Sequence, residues 1–389
     1  MARSKTQKTT GTAGKPRAAF RFFDNREKYL MFVTTCSEKT AVAARVGREL
    51  PQVEPSGSAL RVFDAGMGDG TVLCHLLRDL HSRFPHVPWL VVGKEVSMED
   101  VRLTLEKLAD RFHEHPEMVM VITNLYYSEA PWLYPNAPKA AAGFNWHVAA
   151  LEGDTSHDFG EQLRALHPVL AQNWQVRSSE KTGNPLYVQP SVLVLYRKDR
   201  EFILRPLLPK KGACDADFDL IIASQPYRSR MPVDFKVKNV LAPLTRALAP
   251  GGRMVTVQSY GQDPGLEIVR KIWPDANPFK TGRHELVQAT KEYLGDSDHA
   301  DLRYGGLGDE ESLFRYHLHT MPSEIGSNIG TSTLLAAWNA AIYVAQIEDT
   351  RLHEALSDHN YLETTKAVLQ ERGGLWFNDE SFVISRQRP

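Results

Sequence analysis

Asp64-Ala65-Gly66-Met67-Gly68-Asp69-Gly70 follows directly on the apolar run Leu60, Val62 and Phe63, and its reading decides the fold. An acid at the end of a buried strand, then a glycine at every second position, makes a turn in which backbone can touch a nucleoside-sized ligand, because glycine alone combines positive φ with close approach. Val72, Leu73, Leu76, Leu77 and Leu80 recur at helical spacing behind it, so the turn opens a helix. The spacing narrows the ligand. A dinucleotide fingerprint separates its second and third glycines by two residues; here a single residue separates them, and Asp64 would repel a pyrophosphate. No Gly-Lys-Ser/Thr follows, which excludes a P-loop. A phosphate-free ligand with an amino-acid end fits: Asp64 takes its ammonium, and the glycine amides approach its carboxylate and ribose.

The form acid-x-Gly-x-Gly-x-Gly resembles the first motif of the class I, Rossmann-like S-adenosylmethionine-dependent methyltransferases. That resemblance implies an α/β fold with a mostly parallel seven-stranded sheet, helices on both faces and an antiparallel last strand, and S-adenosyl-L-methionine as cofactor. Pro85 and Pro88 close the helix, and Trp89 to Val96 reads as a second buried parallel strand carrying Glu95 near its end. In the family an acid at that place accepts from the ribose hydroxyls, a role that suits a group offering only acceptors. The resemblance therefore implies Asp64, Gly66, Gly68, Gly70 and Glu95 as cofactor residues. For the adenine pocket two strands compete: Met118 to Thr123 ending at Asn124, and His147 to Leu151 ending at Glu152-Gly153-Asp154. Asp154, with Thr155 beside it, is the choice, because Gly-Asp matches the family's pattern and Ser156 opens a helical run; Asn124 is the reserve.

Phe218 to Ala223 followed by Ser224-Gln225-Pro226-Tyr227 resembles the family's fourth motif, at the strand end facing the transferred methyl group. Methyltransferases acting on amines of planar groups carry Asn/Asp/Ser-Pro-Pro-aromatic there. Ser224, Pro226 and Tyr227 match, whereas Gln225 replaces the first proline and weakens a nucleobase assignment. Ser224, Gln225 and Tyr227 are the expected catalytic residues, with the Tyr227 ring available to stack on an acceptor. Val240 to Leu248, Ala249-Pro250-Gly251-Gly252 and Arg253 to Val257 then read as helix, turn and strand. The resemblance covers well under half of the chain.

The rest of the sequence sets limits. In 389 residues of 42% hydrophobic content no apolar stretch approaches a membrane span, and a net charge of −1 gives no global attraction to nucleic acid. Cys36, Cys74 and Cys214 lack metal or disulfide spacing, which points to a reduced, cytoplasmic setting; no metal is expected from the fourteen histidines either. Residues 1–22 read as a disordered basic tail, 23–59 as a helical lid, and 60–389 as the catalytic domain, with insertions at about 124–145 and 175–215 and a helical element at about 328–372 that could cap the fold or make a homodimer. A hairpin is expected from Ser191 to Leu195 and Glu201 to Leu204. Tyr29 in the lid and Tyr126, Tyr127 and Trp132 in the first insertion are substrate candidates, and Glu38 a further contact.

The expected function is methyl transfer to nitrogen of a small molecule or protein side chain. An oxygen acceptor is the alternative and would require a base such as His157, His317 or His319. A nucleic-acid substrate is disfavoured by charge and by Gln225, although Arg228, Arg230, Lys236 and Lys238 form a local basic group. A non-enzymatic scaffold is the weakest reading, since it has no need of Asp64, three glycines and Glu95 together.

Overall fold

Strand β1 (Leu60–Asp64) is apolar on both faces and accordingly takes a central place in the sheet of the computed structural model. Residues 26–388 are described, except 180–184, 213, 296–299, 321, 327–328 and 358–359; the expected tail over 1–22 lies outside the described residues. The other strands are β2 (Trp89–Lys94), β3 (Met118–Thr123), β4 (Asn145–Leu151), β5 (Val176–Ser178), β6 (Pro185–Tyr187), β7 (Ser191–Arg197), β8 (Phe218–Ser224), β9 (Leu248–Ser259), β10 (Leu302–Gly305), β11 (Leu313–His317) and β12 (Trp376–Arg386). Ten of them form one sheet in the order β10-β12-β9-β8-β1-β2-β3-β7-β4, with β11 also on β12; β5 and β6 make a separate hairpin.

The five strands β3, β2, β1, β8 and β9 are parallel, and β12 runs antiparallel beside β9. β10 and β11 share the far edge of β12, pairing with Val383 to Arg386 and Trp376 to Glu380 respectively. Seven sheet positions are thus occupied as the sequence implies, in a doubly wound order reversing between β1 and β8. The two extra strands extend the β3 edge. β7 pairs antiparallel with β3 and parallel with β4, so the expected hairpin to Glu201–Leu204 is not formed. That segment is a short helix burying Leu204 and exposing Phe202 and Ile203, with no alternation to support a strand.

Helices α1 (Arg26–Thr35) and α2 (Glu38–Gly47) precede the sheet, and α3 (Thr71–Arg83) and α4 (Met98–Glu114) follow β1 and β2. α3 buries Val72, Leu73, Leu76, Leu77 and Leu80 against the sheet together with α2 and α4, each fully buried leucine contributing about 2 kcal/mol. The opposite face is covered by the helical segments Val233–Arg246 and Arg283–Leu294. The first of these contains a π turn over Val237–Leu241, just before Pro243, which has no N–H to return to the preceding turn. A third apolar cluster joins Phe32 and Cys36 to the helices Pro264–Ile272, Thr331–Val344 and Asn360–Arg372. The last two lie in the chain between β11 and β12. This cluster forms a cap over one end of the sheet.

Candidate functional site

The parallel strands deliver their C-terminal ends to that cap, where a cavity of about 700 Å³ opens. At its β1 side the three glycines adopt φ of 144°, 57° and 75° at Gly66, Gly68 and Gly70, which lets the chain turn from strand into α3 without side chains. A Cβ on Gly68 would lie 3.1 Å from the Tyr29 hydroxyl, and one on Gly70 would lie 2.7 Å from Thr104 Oγ1. Gly66 and Gly68 line the cavity; Gly70 instead serves as the N-cap of α3. Tyr29, from α1, closes over the turn.

Asp64 is 2% exposed and sits behind the cavity wall, and its Oδ2 has no hydrogen-bond partner among the described residues. Burial pushes its pKa up to about 7; Lys39 draws it partly down and Glu95 pushes it further up. Asp64 does not itself line the cavity: its donorless Oδ2 is buried at the end of β1, two residues before the cavity-lining Gly66. Lys39 lines the cavity from the first turn of α2. Burial opposes its charge, but Glu38, Tyr29 and Asp69 outweigh that and hold its pKa well above the usual lysine value. Sequence reasoning passed over Lys39, which stands in an ordinary Ser-Glu-Lys helix start with no signal of its own.

Glu95 follows β2 and fastens the glycine turn to the next loop: its Oε2 accepts from Gly68 N at 2.9 Å and its Oε1 from Val96 N and Ser97 N at 2.7 and 2.8 Å. Three of roughly four acceptor sites are therefore taken, leaving room for one ribose hydroxyl rather than two. Asp100, on the first turn of α4, lines the same corner; burial, then Glu95, raises its pKa to about 7. Lys94 Nζ lies 4.7 Å above the Tyr127 ring, and burial lowers its pKa.

Asp154 and Thr155 do not reach the cavity. β4 runs opposite to β1, β2 and β3, so its C-terminal end lies where those strands begin. There Asp154 is exposed, its carbonyl beside His113 at the last turn of α4, and Thr155 caps the helix Ser156–Arg164 in a reciprocal pair with Asp158. The third parallel strand is β3, whose following residue Asn124 is committed elsewhere. It accepts from Ser191 N at 2.8 Å and donates to Gln189 O at 2.9 Å, tying β3 to β7. Tyr126 and Tyr127 line the cavity; Trp132 packs against the core beneath the insertion instead.

At the β8 side Ser224, Gln225 and Tyr227 all line the cavity. Gln225 holds φ 48°, unusual for a residue with a side chain, and its Nε2 reaches Ser259 Oγ at 3.2 Å and Asp379 Oδ2 at 3.3 Å. The Tyr227 hydroxyl donates to Gln258 Oε1 at 3.0 Å; Gln258 Nε2 donates to Glu380 at 2.6 Å, and Glu380 pairs with Arg283 at 3.0 Å. Tyr227 is thereby fixed, its ring rather than its hydroxyl left to meet a ligand. Lys236 Nζ lies 4.9 Å above that ring and donates to Ser229 O; burial lowers its pKa to about 8. The local basic group therefore loses a member to the interior. His157, His317 and His319 are exposed and none lines the cavity, so they do not supply a base there. Among the described residues no set of three or more His, Cys, Asp or Glu is placed to hold a metal, and no helix is long and apolar enough to cross a membrane.

No family model and no curated protein matches the chain. Among solved structures, geranyl diphosphate methyltransferase in complex with S-adenosylmethionine is 14% identical, with 89% of this chain and 85% of that chain covered at a TM-score of 0.32. Phosphoethanolamine N-methyltransferase 2 of Haemonchus contortus, in complex with S-adenosyl-L-methionine, is 10% identical, with 96% and 61% covered at a TM-score of 0.33. At such scores these likenesses carry no argument about activity. The functional reading rests on the chain's own site.

Proposed function

We propose that the chain is an S-adenosylmethionine-dependent methyltransferase that transfers a methyl group to nitrogen of a small molecule or protein side chain. One observation carries this reading: the ends of β1, β2 and β8 bring a glycine turn, an acid beside the turn and a polar-aromatic lip to a single cavity, with the donorless carboxylate of Asp64 buried behind the turn. Asp64 would take the cofactor's ammonium, Lys39 its carboxylate, and Glu95 with Asp100 its ribose, while Tyr126 and Tyr127 offer rings from the loop after β3. When bound, the cofactor supplies an electrophilic methyl group on a sulfonium with a neutral thioether as leaving group.

The protein's part is alignment and exclusion of water. Tyr29 and Tyr343, both cavity-lining and 6.0 Å apart between ring centroids, close the roof. Ser224 and the Tyr227 ring would orient a neutral nitrogen, which attacks without a strong base. An oxygen acceptor would need a base, and the cavity wall carries no histidine. Calorimetry with S-adenosylmethionine and S-adenosylhomocysteine tests the reading: both should bind the wild-type protein, and Asp64→Ala and Gly68→Val should each weaken binding, Gly68→Val the more, while leaving the circular dichroism spectrum unchanged. Undiminished heats in both folded variants would rule out this site.

A further inference from the structure

The large sheet ends differently at its two edges. Beyond β12 stand two short strands, β10 with Arg303 and β11 with Arg315, and short strands carrying a cation are poor templates for a further strand. The other edge is β4, whose residues Asn145-Trp146-His147-Val148-Ala149-Ala150-Leu151 pair with β7 alone. It carries no charged side chain, proline, glycine or bulge to discourage pairing. Asn145 N donates to Pro190 O at 2.9 Å, so by the alternation of a parallel ladder Asn145, His147, Ala149 and Leu151 bond to β7. Trp146, Val148 and Ala150 therefore turn their N–H and C=O groups outward, where no described residue pairs with them. Val148 is 49% exposed there, and the short helix that follows β7 exposes Phe202. Charge is divided along the strand. Lys139 is exposed on the helix Pro138–Ala142 before it, Lys211 Nζ donates to Phe144 O at 2.8 Å beside its first residue, and the exposed Glu152 follows its last.

We infer that β4 is the docking edge for a second copy of this chain, the two β4 strands pairing antiparallel about a two-fold axis at Val148. Antiparallel pairing sets outward groups directly opposite one another, and this axis places Val148 against Val148 and Trp146 against Ala150 of the second copy. It alone engages all three outward residues within the strand. The edge is thus complementary to itself, as a two-fold interface requires. The same axis brings Glu152 opposite Phe144 of the second copy, whose carbonyl holds that copy's Lys211, so the acidic end of each strand meets the basic end of the other. Sedimentation of the full chain tests this, and the wild type should run as a dimer at micromolar concentration. Val148→Pro removes only an outward N–H, and Val148→Lys sets two cations against each other at the axis. Each should raise the dimer dissociation constant about a hundredfold or more, with the circular dichroism spectrum unchanged. Val148→Cys should form a disulfide-linked dimer on oxidation with diamide, because directly opposed residues lie about 5.5 Å apart between Cα atoms. Ala149→Cys, a diagonal neighbour about 7 Å or more from its mate, should not cross-link, and neither should the wild type. A wild type that stays monomeric, a dimer undisturbed by both Val148→Pro and Val148→Lys, or a Val148→Cys dimer that fails to cross-link overturns the inference.

Discussion

The two ends of the cavity are built in different ways. At the β1–β2 end the functional groups come from short runs of chain, Asp64 to Gly70 and Lys94 to Asp100, and each run is positioned by its own hydrogen bonds. At the β8–β12 end Glu38, Gln225, Ser259, Tyr316 and Tyr343 come from five separate elements that only the finished sheet and cap bring together, with Asp379 on β12 holding Gln225 from behind. A ligand common to many enzymes can be served by a local turn, whereas an individual acceptor calls for a surface assembled from distant parts. The first end should therefore respond to substitutions within the turn, and the second to substitutions in its supports.

The largest effect is expected at the first end. Gly68→Val places a β-branched residue at φ 57° with its Cβ 3.1 Å from the Tyr29 hydroxyl, so the turn must shift or the roof must lift. Affinity for S-adenosylhomocysteine should fall about a thousandfold, ~4 kcal/mol by calorimetry. A variant that binds normally would show that the glycine turn does not serve the ligand.

Glu380→Ala sharpens the contrast from the other side. It removes the acceptor of Gln258 and the buried partner of Arg283, leaving Tyr227 without the chain of bonds that fixes it. Denaturant unfolding should show a loss of about 3 kcal/mol, because a buried cation is left with reduced compensation. S-adenosylhomocysteine affinity should stay within about twofold. A parallel collapse of cofactor affinity would mean that the two ends are one cooperative unit.

This difference also explains what the sequence reveals. The glycine turn, the acid after β2 and the Ser-Gln-Pro-Tyr turn are contiguous, and contiguous patterns carry their geometry with them. The strand order was legible wherever helix and strand alternate in the βαβ manner, up to β2, and the third parallel strand was sought at β4 rather than β3. It failed at β4, because an apolar run followed by Gly-Asp and a capped helix looks the same whether the strand runs with its neighbours or against them. Direction is decided by β7, which inserts between β3 and β4 and reverses the polarity of that edge. Lys39 was illegible for a related reason: it is an ordinary charged residue locally, and its role follows from the acids and rings that only the tertiary fold gathers around it.

Asp64 provides a third, intermediate effect with a pH signature. In the free protein its pKa is raised to about 7, burial being the main cause, and a cationic ligand group requires the ionised form. Affinity for S-adenosylhomocysteine should be level above about pH 8 and fall by up to ~tenfold per unit below pH 7. Stability runs the other way. Since the folded pKa exceeds the unfolded value, Asp64 favours the folded state at low pH, and this contribution disappears as pH rises through about 7. Asp64→Asn should therefore raise the melting temperature of the free protein at pH 8, leave it nearly unchanged near pH 4, and flatten the pH dependence of binding. A wild-type affinity that does not change between pH 6 and pH 8 would remove Asp64 from contact with the ligand's charge.

The smallest effects mark the boundary of the site. Thr155 Oγ1 accepts from Asp158 N at 3.1 Å and Asp158 Oδ2 accepts from Thr155 N at 3.2 Å, a cap on the helix behind β4. Thr155→Ala should cost about 1 kcal/mol in unfolding free energy with no change in S-adenosylhomocysteine affinity. Asp154→Ala, exposed and at the starting end of the parallel strands, should alter neither quantity measurably. The pair is informative because the Gly-Asp pattern and the sheet direction make opposite claims about one position. A drop in cofactor affinity on Asp154→Ala would require β4 to run with β3, and the pairing of β7 between them forbids that.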